Sequence, residues 1–208
     1  LLMLQHRGQD AAGMVVCEPS GKLNSRKSKG YVRDVFQQNH MNNLQGNLGI
    51  GHVRYPTAGG IGKEFAQPMY VNTPYGISLA HNGNLTNSKK LAAELFHAER
   101  RHINTDSDSE VLLNIFALEL SKQEAVFPKP KDFFSAVEKT HLRINGAYAV
   151  VALITGYGIL AFRDPLGIRP LSIGIRKGKN RNEYVVSSET ALFSSTGFKF
   201  LRDVEPGE

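Results

Sequence analysis

Cysteine and tryptophan are almost absent from this sequence. Its 208 residues contain one Cys and no Trp. A single cysteine excludes an intrachain disulfide and a cysteine-based zinc cluster, so a disulfide-stabilised secreted scaffold is ruled out. We therefore expect a reducing, cytoplasmic compartment.

Long hydrophobic runs are also missing. The longest uninterrupted apolar run, residues 147–154, is far shorter than the roughly 20 residues that a membrane-spanning helix needs. The opening residues 1–4 have neither the charged start nor the length of a signal peptide. We expect no membrane partner. Because residue 1 is not methionine, we also expect the chain to begin inside a longer polypeptide.

Acidic residues are the minority among the charged ones. The sequence has 25 Lys and Arg against 19 Asp and Glu, a net charge of +6. The excess is concentrated in residues 22–29 and 176–181, where it is mixed with turn-forming residues. Nucleic-acid binding would account for such a surface, but charged hairpin edges that resist edge-to-edge pairing are the simpler interpretation. We therefore expect no nucleic-acid partner.

Strand patterns occupy both ends of the chain, and helical patterns occupy its middle. Apolar residues at helical spacing predict helices around 91–96, 111–116 and 132–142. Because strands follow one another through tight turns, without βαβ alternation, we predict an α+β fold with mainly antiparallel sheets. The predicted strands are 11–17, a second strand after the turn at 18–21, 47–55, 69–72, 77–81, 147–154, 159–163, 171–175 and 184–187, and a short helix is predicted around 32–36.

Three polar segments lie where predicted strands end or a predicted helix begins. Arg54 precedes a Gly-rich loop, so its guanidinium is either a fork for a ligand carboxylate or the partner of a surface acid. Asn82 and Gly83 are either a simple turn or two donors that converge on an oxyanion. The acidic stretch 106–110 either caps a helix or offers a carboxylate to an ammonium group.

Together these groups would suit an amino acid whose side-chain carbonyl is attacked, but the pattern lacks a nucleophile. Cys17 is the only thiol and lies in an apolar strand pattern, so we predict a buried structural cysteine. The seven histidines are scattered without a metal-ligand spacing, and no phosphate-loop motif is present. We therefore predict no metal site.

Five sequence blocks, in order along essentially the whole chain, resemble one enzyme family. They include Gln-His-Arg-Gly-Gln-Asp at 5–10 and Arg-Asp-Pro-Leu-Gly-Ile-Arg-Pro at 163–170, together with blocks at 51–59, 80–84 and 101–110. The blocks are similar to the N-terminal glutaminase domain of the amidophosphoribosyltransferases, which are class II glutamine amidotransferases. The resemblance implies the N-terminal-nucleophile hydrolase fold, a four-layer αββα sandwich of two mainly antiparallel sheets between helices.

The resemblance also implies a site for L-glutamine. The nucleophile would be a cysteine at the first position of the mature protein, with its own α-amino group as general base. Asn82 and the N–H of Gly83 would form the oxyanion hole. Arg54 would bind the α-carboxylate of glutamine, and Asp108 would bind its α-amino group.

Two further residues and the domain limits follow from the same likeness. Arg7 is expected close to the nucleophile, and Thr57 in a loop that closes over glutamine. Residues 1–208 would form a type 2 glutamine amidotransferase domain without the N-terminal strand that carries the nucleophile and without the C-terminal phosphoribosyltransferase domain. Such a chain is expected to be inactive alone.

The whole family enzyme would transfer ammonia from glutamine to phosphoribosyl pyrophosphate, giving 5-phosphoribosylamine for purine biosynthesis. The likeness implies no cofactor in these residues, Mg²⁺ in the missing domain and a homo-oligomer, a tetramer; it leaves an iron–sulfur cluster open. Two alternatives remain, a catalytically inactive glutamine-binding fragment and a related class II enzyme such as glucosamine-6-phosphate synthase. That synthase usually carries Trp-Ala-Thr-His-Gly where residues 55–59 are Tyr-Pro-Thr-Ala-Gly.

Overall fold

The secondary structure follows the apolar pattern of the chain. The computed structural model describes residues 1–55, 62–125 and 127–208. The described strands are β1 (Ala11–Cys17), β2 (Leu23–Lys29), β3 (Leu48–Arg54), β4 (Met69–Val71), β5 (Ile77–Leu85), β6 (Gly146–Ile154), β7 (Gly158–Arg163), β8 (Ser172–Lys177), β9 (Asn182–Ser187) and β10 (Lys199–Asp203). The described helices are α1 (Val32–Val35), α2 (Gln38–Asn43), α3 (Ser88–His97), α4 (Asp108–Ser121), α5 (Pro130–Arg143) and α6 (Ala191–Ser195), with 3₁₀ turns at Leu2–Arg7 and Lys63–Phe65.

The central sheet has the strand order β4-β5-β6-β7, with antiparallel ladders throughout. Successive side chains of a strand point to opposite faces of its sheet. Tyr148 and Val150 of β6 therefore pack against the helices α4 and α5, whereas Ala149 and Leu153 face the other sheets. α4 is buried over most of its circumference, because it lies between this sheet and the helices α3 and α5.

The second β layer consists of two three-stranded antiparallel sheets, β2-β1-β3 and β10-β8-β9. Val15 and Ile50 of the first sheet pack on Leu153 of the central sheet. Leu171, which precedes β8, packs on Ala149 of the same central face. Both small sheets therefore cover one face of the central sheet. Within the described residues no ladder joins them, so the single second sheet that was expected is split in two.

Short helices cover the outer surface of the second layer. α1 packs Val32 and Val35 on Ala12, whose side chain points away from the central sheet. α6 contacts β10 and the 3₁₀ turn at the start of the chain. The order of helices, sheet, sheets and helices confirms the predicted α+β class and the four-layer αββα sandwich.

Some strands and helices have bounds that differ from those predicted, because pairing between strands and helix-terminal geometry decide where they begin and end. β5 was expected to end at residue 81, but it continues to Leu85 because its backbone pairs with β6 as far as Gly146. α5 begins at Pro130, since proline fits the first turn of a helix, where an N–H would have no intrahelical partner. The short elements α2, α6 and β10 were not predicted. No helix in the described ranges has the length and apolarity needed to span a membrane.

Candidate functional site

A cavity of about 1160 Å³ opens between the central sheet and the second β layer. Most of the candidate residues predicted from the sequence line it, although they come from separate parts of the chain. They are Arg7, Arg54, Asn82, Gly83 and Asp108. Thr57, the remaining candidate, lies outside the described residues. The fold therefore brings the described candidates around one space.

One edge of β5 turns backbone N–H groups toward this site beyond the end of its pairing with β4. The His81 N–H on this edge donates to Oε1 of Gln67 over 2.7 Å. The Leu85 N–H donates to Oδ2 of Asp108 over 2.9 Å. Because alternate N–H groups of a strand point to the same side, and the register with β6 is unshifted, the Gly83 N–H faces this edge as well. The Gly83 N–H therefore lies between the N–H groups of His81 and Leu85, each of which is held by a side-chain acceptor.

The Asn82-Gly83 pair is part of a strand, which removes the simple-turn interpretation. A Cβ atom on Gly83 would lie 2.0 Å from the carbonyl oxygen of Ala147, so only glycine fits there. The Asn82 side chain points to the face of the sheet opposite to that on which a Gly83 side chain would lie. There its Nδ2 lies 3.4 Å from Oγ of Ser188. A side-chain amide next to an exposed backbone donor is the arrangement that an oxyanion site requires.

Asp108 is the first residue of α4, but it does not cap that helix. The cap is Ser107, whose Oγ accepts a hydrogen bond from the Ser109 N–H over 3.3 Å. The Asp108 carboxylate is turned toward β5, where it accepts from Leu85, and its Oδ1 lies 3.8 Å from Nδ1 of His81. The capping role therefore belongs to Ser107, and binding of an ammonium group by Asp108 stays a prediction. Asp106 and Asp108 both line the cavity, and the carboxylate of Asp108 is the one that bonds to β5.

Gln67 is a site residue that the sequence pattern did not indicate. Its side chain is buried, and it connects the strand that carries Asn82 to the helix that begins at Asp108. Its Oε1 accepts from the His81 N–H, and its Nε2 donates to Oγ of Ser109 over 2.9 Å. The Ser109 hydroxyl in turn lies 3.1 Å from Nδ1 of His81. No local signal identifies such a residue, since each partner is distant in sequence.

Arg54 lies at the end of β3, and its side chain is buried in the cavity wall. Its guanidinium forms an ion pair with Asp10, which is itself almost inaccessible to solvent, and lies 5.3 Å from the centre of the Phe65 ring. The acid that partners Arg54 is therefore a buried residue of the first sequence block and not a surface group. The ion pair fixes the guanidinium at the cavity surface.

Arg7 is held at the cavity by Glu189, a second residue that the sequence did not indicate. Nη1 of Arg7 donates to Oε1 of Glu189 over 2.5 Å, and Nε2 of His6 lies 2.9 Å from Oε2 of the same carboxylate. The hydrogen bond from Arg7 holds the pKa of the Glu189 carboxyl below its usual value. The start of the chain is thereby joined to the segment that follows β9.

The imidazoles of His52 and His81 lie beside the cavity. Burial lowers the pKa of His52 from 6.5 to about 4. Burial also lowers the pKa of His81, against the opposing effect of the nearby Asp108 carboxylate. Nδ1 of His52 and Nε2 of His81 are buried without a hydrogen-bond partner among the described residues. The cationic side chains that line the cavity are those of Arg7, Arg54, Lys89 and Arg169, within the described residues.

Cys17 is buried at the end of β1, as predicted, beside Val15 and Ile50. Its Sγ lies 3.4 Å from the carbonyl oxygen of Glu18, and the residue does not line the cavity. Over the three described ranges, no group of His, Cys, Asp and Glu side chains converges in a way that could hold a metal ion.

A four-layer αββα sandwich with its site between the two β layers defines an N-terminal-nucleophile hydrolase fold. Residues 61–195 match a family model described as a glutamine amidotransferase domain. The chain belongs to the glutamine amidotransferase domain family.

Comparison with known proteins narrows the likeness. The amidophosphoribosyltransferase of Pasteurella multocida is 56% identical over 208 residues, which cover 100% of this chain and 41% of that protein. A solved structure described as the allosteric regulatory enzyme of purine biosynthesis is 37% identical, with a TM-score of 0.81 over 99% of this chain and 41% of its own.

The glutamine phosphoribosylpyrophosphate amidotransferase of Bacillus subtilis, solved with ADP and GMP, is 35% identical, with a TM-score of 0.79. That match covers 98% of this chain and 41% of the other. The resemblance to the amidophosphoribosyltransferases that the sequence blocks indicated is therefore confirmed. The chain spans about two fifths of the length of these relatives.

Proposed function

We propose that this chain binds L-glutamine and forms the glutamine-hydrolysing part of an amidophosphoribosyltransferase. One observation carries the proposal. The Gly83 N–H and the Asn82 amide lie in the same cavity as an acidic group and a buried arginine, which matches the charges and the reacting carbonyl of glutamine. The strand edge that presents Gly83 is anchored on both sides, so its donor needs little reorganisation when negative charge develops.

In this proposal each charged group binds one end of the α-amino acid. The Asp108 carboxylate accepts hydrogen bonds from the ammonium group, and the guanidinium of Arg54 donates to the α-carboxylate. These contacts fix the side chain of glutamine so that its amide carbonyl points to Asn82 and Gly83. The two donors then stabilise the oxyanion that forms when a nucleophile attacks the carbonyl carbon and before ammonia leaves.

The nucleophile in this proposal is a cysteine of an extended segment outside these 208 residues. The cavity is bordered by residues 51–54 of β3 and by residues 186–189, at and just after the end of β9. These two strands are outer strands of two separate sheets in one layer. A strand inserted between them would find ladder partners on both sides and would pass Asn82. A cysteine at its first position would have an α-amino group, with a pKa of roughly 8, to accept the thiol proton.

The later chemistry would also belong to residues outside these 208. The ammonia released from glutamine would attack phosphoribosyl pyrophosphate, displace pyrophosphate and give 5-phosphoribosylamine for purine biosynthesis. In this proposal, no residue of this chain takes part in that step or binds its Mg²⁺. A cytoplasmic homo-oligomer, a tetramer, completes the proposal for the whole enzyme.

A second candidate function is a glutamine-binding module without catalysis. It is favoured by the position of Cys17, the only thiol of the chain, which lies away from the cavity. The two functions differ in whether a thiol supplied from outside the 208 residues restores turnover.

The test combines a binding measurement with a hydrolysis assay. Isothermal titration of the purified 208-residue chain should show binding of L-glutamine, and the same chain should release no ammonia. A version preceded by a segment that begins with cysteine should hydrolyse glutamine. Ammonia release by the 208-residue chain, or no glutamine binding, would contradict the proposal; binding without turnover in the extended version would favour the non-catalytic module.

A further inference from the structure

Arg169 is a cavity-lining arginine whose charge has no carboxylate partner within the described residues. Arg7 is paired with Glu189, and Arg54 is paired with Asp10. Arg169 lines the same cavity, and its Nε is buried without a hydrogen-bond partner. A partly buried guanidinium without a counter-charge is costly in the unliganded protein, and an anion that binds there removes part of that cost.

The loop that carries Arg169 is rigidly built around two neighbouring charged residues. Asp164 is fully buried, and its carboxylate accepts hydrogen bonds, over 2.9 to 3.1 Å, from the backbone N–H groups of Leu166, Ile168 and Arg169. The Arg163 guanidinium donates to the carbonyl oxygens of Arg169, Gly167 and Val204. The backbone position of Arg169 is thereby fixed from both its N–H and its carbonyl side.

The loop that carries Arg169 begins at the end of β7, beside the row of the central sheet that contains Asn82. Ala149 of β6 pairs with Asn82 on one side and with Arg163 on the other, so the three residues form one row across the sheet. The loop begins directly after this row. Burial lowers the pKa of His81, and the positive charge of Arg169 lowers it further, which places the guanidinium within electrostatic reach of the residue before Asn82.

We propose that Arg169 binds negative charge at the γ end of the bound amino acid, and that it gives the site affinity for the γ-carboxylate of glutamate. The inference rests on the proposed function, in which Arg54 and Asp108 already bind the α-carboxylate and the ammonium group. A γ-carboxylate forms a charge-assisted hydrogen bond with a guanidinium, whereas the neutral amide of glutamine forms a weaker one. Arg169 is thus a residue that distinguishes product from substrate.

The test compares L-glutamate with L-glutamine as ligands of the 208-residue chain, by isothermal titration at neutral pH and low salt. Arg169→Met should weaken glutamate binding about tenfold or more and leave glutamine binding within about twofold. Arg169→Lys keeps the charge and should retain part of the preference. Lys90→Met, which removes an exposed cation on α3 outside the cavity, is the matched control and should change neither affinity.

The outcomes separate this inference from the proposed function. An equal loss for both ligands in Arg169→Met would place Arg169 at the α-carboxylate or in a purely structural role, and would overturn the inference. Unchanged affinities would overturn it as well. If the wild-type chain bound neither ligand, the proposed function would fail and the inference with it. If Arg169→Met did not fold, as judged by circular dichroism, Arg169→Lys would decide. It should reduce the preference for glutamate over glutamine, and an unchanged preference would overturn the inference. In the wild-type chain the glutamate affinity should fall more steeply with salt than the glutamine affinity, and equal slopes would also overturn it.

Discussion

Arg7 and Glu189 are 182 residues apart in sequence, and a hydrogen bond of 2.5 Å joins Nη1 of Arg7 to Oε1 of Glu189. Both side chains line the cavity, and about a quarter of each is exposed. The pair connects the 3₁₀ turn at the start of the chain to the segment after β9. It therefore closes one wall of the proposed glutamine site.

Glu189→Gln should lower the free energy of unfolding by about 1 kcal/mol, because a neutral amide replaces the carboxylate that accepts from Arg7. Glu183→Gln is the matched control: its partner Arg176 is exposed, so the loss should stay within about 0.5 kcal/mol. Urea denaturation measures both. Since the folded pKa of Glu189 is lowered, its contribution is complete above 4.5 and declines as the pH falls below that value. Equal effects of the two variants would contradict the prediction.

Gln67→Met should destabilise the chain by about 1 to 3 kcal/mol, since it leaves the buried His81 N–H without its acceptor and removes the donor to the Ser109 hydroxyl. Glutamine binding should also weaken, because the strand with Asn82 and the helix that begins at Asp108 lose their connection. Gln45→Met removes an exposed side chain that bonds only the Asn42 carbonyl near the end of α2, and should change neither quantity. Thermal unfolding and isothermal titration test both effects; normal glutamine affinity in a folded Gln67→Met variant would refute the positioning role.

Asp108→Asn should weaken glutamine binding by about tenfold or more, because the ammonium group loses its charged acceptor. Asn82→Ala should leave the dissociation constant nearly unchanged in the 208-residue chain. In a version that hydrolyses glutamine, Asn82→Ala should lower kcat, since it removes a donor that acts mainly on the transition state. If both substitutions changed binding alone, the oxyanion role would be wrong.

The stability of the chain should fall as the pH is lowered from 6.5 to about 4, in part because of His52. Its folded pKa is below its unfolded value, so the unfolded chain binds the proton first and acid favours unfolding. The contribution is at most about 3.4 kcal/mol, at 1.36 kcal/mol for each pKa unit. His52→Asn should flatten the pH dependence measured by urea denaturation, whereas the exposed His97→Asn should not. An unchanged slope in His52→Asn would exclude the effect.

The elements that the sequence alone determined are those with a long and continuous pattern. β1 and β6 are apolar runs that are buried on both faces, and α4 carries apolar residues around most of its surface. Local composition is sufficient there because burial in a layered core requires it. The five sequence blocks likewise identified the family, as well as the candidates Arg7, Arg54, Asn82, Gly83 and Asp108, all of which line the cavity.

Only the tertiary structure decided how those candidates are held. The pairs Arg54 with Asp10, Gln67 with Ser109 and Arg7 with Glu189 join residues 44, 42 and 182 positions apart. No local pattern specifies such partners, because hydrogen bonds and ion pairs depend on distance in space and not on separation in sequence. The Asn82-Gly83 dipeptide also shows that local sequence does not determine these features of the site. Its composition is typical of a turn, yet pairing with β6 keeps it in a strand, and that pairing aims the Gly83 N–H at the cavity edge.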